Sequence, residues 1–149
     1  MGFDYFVGKL RCSICGQVSA ADGSTNMQTK LRDDADLAYL GVGARVDASA
    51  ANLRESDYLE LRAPEAGECR ILQAWECAFC GKPRNWAVIS IRDGAVREVS
   101  AVEMGRAALA SAHYIHEDDG RGLAAQLTGR ASGKLSGQAL LDALRALAK

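Results

Sequence analysis

The sequence predicts an α+β protein, an antiparallel β-sheet followed by C-terminal helices. Three observations predict it. Two β-rich runs flank Asp93-Gly94 in "NWAVISIRDGAVREVSAV", and that dipeptide favours the type I′ turn of a tight hairpin. Two matched C-x-x-C-G units, "CSICG" at 12–16 and "CAFCG" at 77–81, each follow a β-rich run. Beyond residue 103 the hydrophobic period lengthens from two to a helical spacing, clearest at Leu140, Leu141, Leu144 and Leu147. This change of period divides the chain into a β-rich, metal-binding part, 1–103, and a helical segment, 104–149. The first part carries a long insertion between its cysteine pairs. The second packs on it or on a partner.

The elements follow in order. Residues 3–11, "FDYFVGKLR", are aromatic and β-branched, and read as a strand running into the first cysteine pair. Residues 17–35 are polar and read as a loop. "DADLAYLG" predicts a short helix, capped by Asp34 or Asp36 and stopped by Gly41. Residues 44–48 are short and β-like. "DYLELR" at 57–62 and "CRILQAWE" at 69–76 alternate as strands, separated by the turn "APEAGE". Ser100 and Glu103 form a capping-box pattern that predicts an Ala-rich helix to about Ile115. "DDGRGLAAQLTG" predicts a second helix ending at Gly129, and Ser136 caps a third.

The cysteines carry the chemistry. Two residues between thiols let a tight turn aim both sulfurs at one point. A glycine after the second thiol accepts positive φ and lets backbone amides approach the sulfurs. Four thiolates make a closed tetrahedral metal site, so Cys12, Cys15, Cys77 and Cys80 are the expected ligands. Zinc is the expected metal, and iron fits the same four sulfurs.

These units resemble the zinc knuckles of the zinc-ribbon and rubredoxin-like superfamily. The resemblance covers the knuckles and their flanking strands, and implies a zinc-ribbon-like four-cysteine site with those residues as ligands. It implies little about activity. Between Cys15 and Cys77 lie 61 residues, where a compact site has roughly 15–20. The intervening segment must build its own structure and return the second knuckle to the first. A redox or disulfide use of the same thiols is the alternative reading. A thioredoxin-like motif wants a helix after the cysteines, and here Pro83 and a β-rich run follow.

Other residues invite two readings each. Cys69 is a buried small hydrophobe or a fifth ligand. His113 and His116 at i and i+3 share a helix face as a second metal or catalytic pair, or are ordinary residues near a helix C-terminus. Trp75, Phe79 and Trp86 surround the second knuckle, with Lys82 and Arg84 between them, while Lys9 and Arg11 flank the first. Arg11, Lys82, Arg84 and Trp86 thus form a candidate contact surface able to stack bases and touch phosphates. In the structural reading the aromatics shield the metal, and the cations offset the formal −2 of a four-thiolate zinc centre, which is 2 − 4.

Charge narrows the partners. Acidic residues outnumber basic ones 15 to 12 over 1–103, and basic outnumber acidic 6 to 4 over 104–149. Neither part is a polycation, so avid sequence-independent nucleic-acid binding is not expected. The opening "MGFDYFVGKLR" reads as neither signal peptide nor myristoylation site, since Phe6 stands where Ser or Thr is required. No stretch reaches the apolar length of a membrane span, and the expected compartment is the cytosol. There is no Walker A loop, G-x-S-x-G elbow or H-E-x-x-H, which argues against an enzyme. The expectation is a small zinc protein whose metal braces a β-sheet and leaves a surface for a protein partner, as an interaction or regulatory module. A nucleic-acid-binding zinc ribbon is the alternative. A zinc enzyme using His113 or His116 comes third.

Overall fold

The computed structural model describes residues 4–31, 37–65, 67–81, 85–128 and 137–149. The fold is α+β, with two mostly antiparallel sheets and helices gathered at the C-terminal end. Three short strands, β1 (Asp4–Phe6), β2 (Gln28–Thr29) and β3 (Tyr39–Leu40), form a small sheet in the order β2-β1-β3. Helix α1 (Ala50–Glu55) leads into the large sheet, its first turn capped by the Ser49 hydroxyl, which accepts from the Asn52 amide at 3.3 Å. The large sheet holds β4 (Tyr58–Glu60), β5 (Glu68–Trp75), β6 (Asn85–Arg92), β7 (Ala95–Val102) and β8 (Tyr114–His116). Its order is β4-β8-β5-β6-β7. Helices α2 (Arg106–Ser111), α3 (Glu117–Thr128) and α4 (Gly137–Leu147) complete the chain.

The large sheet is covered on both faces, and alternation along β5 shows how. Cys69, Ile71 and Trp75 face one core, which they share with Phe6, Leu10, Met27, Leu31 and Leu40 from the small sheet and its flanks. Leu72 and Ala74 face the other, with Leu109, Leu123, Leu140 and Leu144 from the three C-terminal helices. The period-two pattern therefore persists with apolar residues on both sides, as burial of both faces demands. A polar seam joins the two sheets inside the first core. The buried Tyr58 hydroxyl lies 2.9 Å from Thr29 Oγ1 and donates to Gln73 Oε1 at 2.8 Å, while Gln73 Nε2 donates to the Gln28 carbonyl at 2.7 Å. Each polar group is matched, so the seam fixes the sheets' relation without an unpaired donor.

Several expectations hold. β6 and β7 form the hairpin, with Asp93 at φ +54° and Gly94 at φ +74°, the left-handed pair that a type I′ turn needs. α3 covers the second expected helix. In α4, Leu140 and Leu144 are fully buried, with Leu141 and Leu147 packed at their edge.

Other expectations are corrected. The strand expected over 3–11 is only three residues long, Asp4–Phe6, before the chain turns toward the first knuckle. Tyr39–Leu40 is a strand parallel to β1 rather than the end of a helix; Asp34 and Asp36 lie outside the described residues. Of the stretch 44–48, only Ala44 and Val46 exchange backbone bonds with the turn and start of β7. Ser100 does not cap a helix. It pairs with Val88 inside β7, and the following helix is confined to Arg106–Ser111. The remainder of that expected helix is β8, which lies between β4 and β5, antiparallel to the first and parallel to the second. Residues 104–149 thus contribute a strand as well as helices. Ser136, the expected cap of α4, lies outside the described residues. Among the described residues no helix is long and apolar enough to cross a membrane.

Candidate metal centre

Both knuckles are built by the same local device. In the first, a hairpin closed by the Arg11–Val18 bridge brings the Cys12 amide onto the Gln17 carbonyl at 2.9 Å, and the Gly16 amide donates to the Cys12 carbonyl at 3.0 Å. In the second, which follows β5 directly, the Gly81 amide donates to the Cys77 carbonyl at 2.9 Å. Gly16 sits at φ +73° and Gly81 at φ +77°. This is why the residue after the second cysteine is glycine in both units. The Arg11 guanidinium steadies the first turn by donating to the Gly16 carbonyl at 2.8 Å.

The topology closes the 61-residue gap. β5 carries the second knuckle to the end of the large sheet, where the first knuckle is packed through Leu10 and Cys12 in the shared core. The Glu76 amide donates to the Thr25 carbonyl at 3.0 Å, pinning the entry to the second knuckle against the segment that follows the first. Cys12 and Cys77, the leading cysteine of each unit, are buried; Cys15 and Cys80 are exposed. One ligand atom from each of the four residues lies within 4.8 Å of all the others. Across the knuckles, Cys12 Sγ and Cys80 Sγ are 3.7 Å apart, and Cys15 Sγ and Cys77 Sγ are 3.6 Å apart.

A tetrahedral ion with metal–sulfur bonds near 2.3 Å requires sulfurs about 3.8 Å apart. The two distances across the knuckles meet this spacing, every other pair lies within 4.8 Å, and all four donors are of one soft type. It can therefore hold a metal ion.

Electrostatics within the cluster are uneven. The Cys15 amide beside Cys12 holds that thiol down, to about 6, against the opposing effect of burial, and the Ile14 amide helps at 3.4 Å. Amide donation from Cys80 likewise lowers Cys77. Cys15 behaves oppositely. The Gln17 amide favours its thiolate, but local desolvation and the three neighbouring sulfurs together outweigh it and push the thiol up to about 11. Without a cation, four adjacent thiolates repel one another, so the first charges settle on the leading cysteines.

Asn85, the first residue of β6, carries no signal in the sequence, yet it ties the start of that strand to the first knuckle. It is buried, donates through Nδ2 to Cys12 Sγ at 3.6 Å, and its Oδ1 accepts from the Ser13 hydroxyl at 3.4 Å. Such a neighbour orients a thiolate and spreads its charge.

The other candidates stand apart from this centre. Cys69 lies in β5 opposite Ile91, buried, and desolvation pushes its thiol up to about 12. It is a core residue. His113 and His116 do not share a helix face, because neither is helical: His113 immediately precedes β8 and His116 is its last residue. His113 is buried, and its Nδ1 accepts from the Arg70 amide at 2.9 Å. Desolvation, reinforced by Arg70 and Arg62, keeps its pKa below the usual imidazole value. His116 Nδ1 accepts from the Asp118 amide at 3.3 Å, and its ring meets Tyr58 edge-on. Among the described residues only the four cysteines converge as a group of three or more metal-ligating side chains.

Trp86, expected as a contact surface, is 4 % exposed and belongs to the helix-covered core, while Trp75 is 1 % exposed and donates through Nε1 to the Trp86 carbonyl at 3.1 Å. The helices cover the face on which Trp86 stands. Arg11 is exposed; Lys82 and Arg84 lie outside the described residues. The apolar side chains that reach solvent at the knuckles are instead Ile14, 69 % exposed, and Phe79, 63 % exposed. They occupy equivalent places in the two C-x-x-C units.

Fold and site together define a small α+β protein with a knuckle-type four-cysteine cluster suited to a metal. Compared with protein-family models, with curated proteins and with solved structures, the chain gives no match.

Proposed function

We propose that Cys12, Cys15, Cys77 and Cys80 hold one zinc ion as a structural brace, and that the protein acts as a protein-interaction or regulatory module. The observation that carries this reading is the spacing of the four sulfurs, which suits a closed tetrahedral shell. Four thiolates fill such a shell and leave no position for a water molecule, so the metal stabilises rather than reacts. Its binding energy closes the long connection between knuckles and appears as folding energy. The exposed Ile14 and Phe79 beside the metal supply the apolar part of a contact surface.

The metal half is tested by elemental analysis of protein purified without added metal, which should give one zinc per chain. The interaction half is tested by affinity capture with the wild type and with an Ile14→Ser, Phe79→Ser double variant. A specific companion retained by the first and lost by the second supports the reading. Zinc-loaded protein whose captured set is the same for both forms would contradict it.

A further inference from the structure

Beside the first knuckle, where β5 and β7 end and β6 begins, the surface folds inward into a cleft of about 560 Å³, within the usual range for small-molecule sites. Its inner wall combines apolar strips of Trp75, Trp86 and Met104 with the buried polar side chain of Asn85. Its rim is polar and carries both charges: Arg11 from the knuckle, Glu103 after β7 and Gln126 on α3.

The rim groups are not consumed by the fold. Among the described residues neither the Glu103 carboxylate nor the Gln126 amide has a hydrogen bond or ion pair. Arg11 spends one guanidinium nitrogen on the Gly16 carbonyl and has further N–H groups to offer.

We propose that this cleft binds a flat heteroaromatic ligand presenting paired N–H donors, the chemistry of a guanine edge. A carboxylate is acceptor-only and takes two adjacent donors at once. The Gln126 amide both donates and accepts. A planar guanidinium stacks on a ring, and a thioether packs favourably against one. The rim's opposite charges suit a neutral ring with a polar edge better than a polyanion. The same edge occurs in a free nucleoside and in a guanine of single-stranded nucleic acid. The cleft adjoins the sulfur cluster, since Ser13 and Asn85 line it too, but none of the four cysteines does.

The test uses the full chain with guanosine, adenosine and a guanine-containing single-stranded oligonucleotide. Binding is followed by calorimetry and by emission of Trp75 and Trp86, the chain's 2 tryptophans, which both line the cleft. Guanosine should bind saturably and shift that emission, and adenosine should bind at least about tenfold more weakly, as loss of hydrogen bonds to a charged acceptor implies. Glu103→Gln should erase most of that preference while leaving the melting temperature unchanged, because Glu103 is exposed and has no partner among the described residues. Oligonucleotide binding tighter than guanosine, with the same dependence on Glu103, would identify the base within nucleic acid as the source. Exclusion of the oligonucleotide would identify the free nucleoside. No saturable binding of either, or binding indifferent to the base and to Glu103→Gln, would overturn the proposal.

Discussion

Replacing the knuckle glycines by alanine separates conformational strain from crowding. A Cβ added to Gly16 or Gly81 meets no atom within 4 Å, so neither substitution creates a clash. Both residues nevertheless sit in the left-handed region, at φ +73° and +77°, where an L-residue costs about 1–2 kcal/mol. That cost is the whole expected effect. In a knuckle that orders around its metal it appears mainly as weaker metal binding, about five- to thirtyfold per glycine. Chelator competition measures it. Melting of the loaded protein should fall by roughly 2–8 °C, from about 2–4 °C per kcal/mol for a chain of this size.

Gly43→Ala is the control. It too has positive φ, +96°, and open space around its Cβ. It pairs with Val96, at the opposite end of the β6–β7 ladder from Asn85. It should lower melting without a selective loss of metal affinity. Wild-type affinity in Gly81→Ala, or an equal loss in Gly43→Ala, would refute the reasoning.

Further outcomes follow from the same structure. Leu144→Ala should cost about 2–5 kcal/mol in chemical denaturation, because Leu144 is fully buried under the large sheet's helix-covered face; Leu144→Asp should cost more by burying an unpaired charge. Metal affinity should fall with acidity, since protons compete for the thiolates. Cys12, held down to about 6, adds its share of that loss only as the pH drops through that value. Cys15, at about 11, must instead release a proton to the metal throughout the neutral range, visible as buffer-dependent binding enthalpy. After chelation of the metal, Cys69 should resist alkylation in the folded protein, because it is buried and its thiol is pushed up to about 12; rapid labelling there would show that its strand opens.

What the sequence reveals depends on whether a signal is local. The knuckles are legible because thiol spacing and the following glycine dictate the turn, and the structure returns both at nearly the same φ. The Asp93-Gly94 hairpin and the leucine stripe of α4 are legible for the same reason. The connection between sheets is not local. β8 is three residues, Tyr114–His116, inside an Ala-rich stretch with helical character, and only its slot between β4 and β5 makes it a strand. Ser100 and Glu103 match a capping box, yet the ladder with Val88 outweighs it. Trp86 looks like a surface aromatic beside basic residues until the helices that cover its face are in place. Asn85 is an ordinary strand-opening residue until the two knuckles meet and Cys12 arrives beside it.

The central claim is tested most directly by metal content against thiol identity. Wild-type protein purified without added metal should carry one zinc per chain. Cys77→Ser should lose it, melt at markedly lower temperature, and show red-shifted emission from Trp75 and Trp86 as the second knuckle loosens. A folded wild-type protein with no bound metal and four freely titrating knuckle thiols would contradict the account, as would a Cys77→Ser protein that melts like wild type.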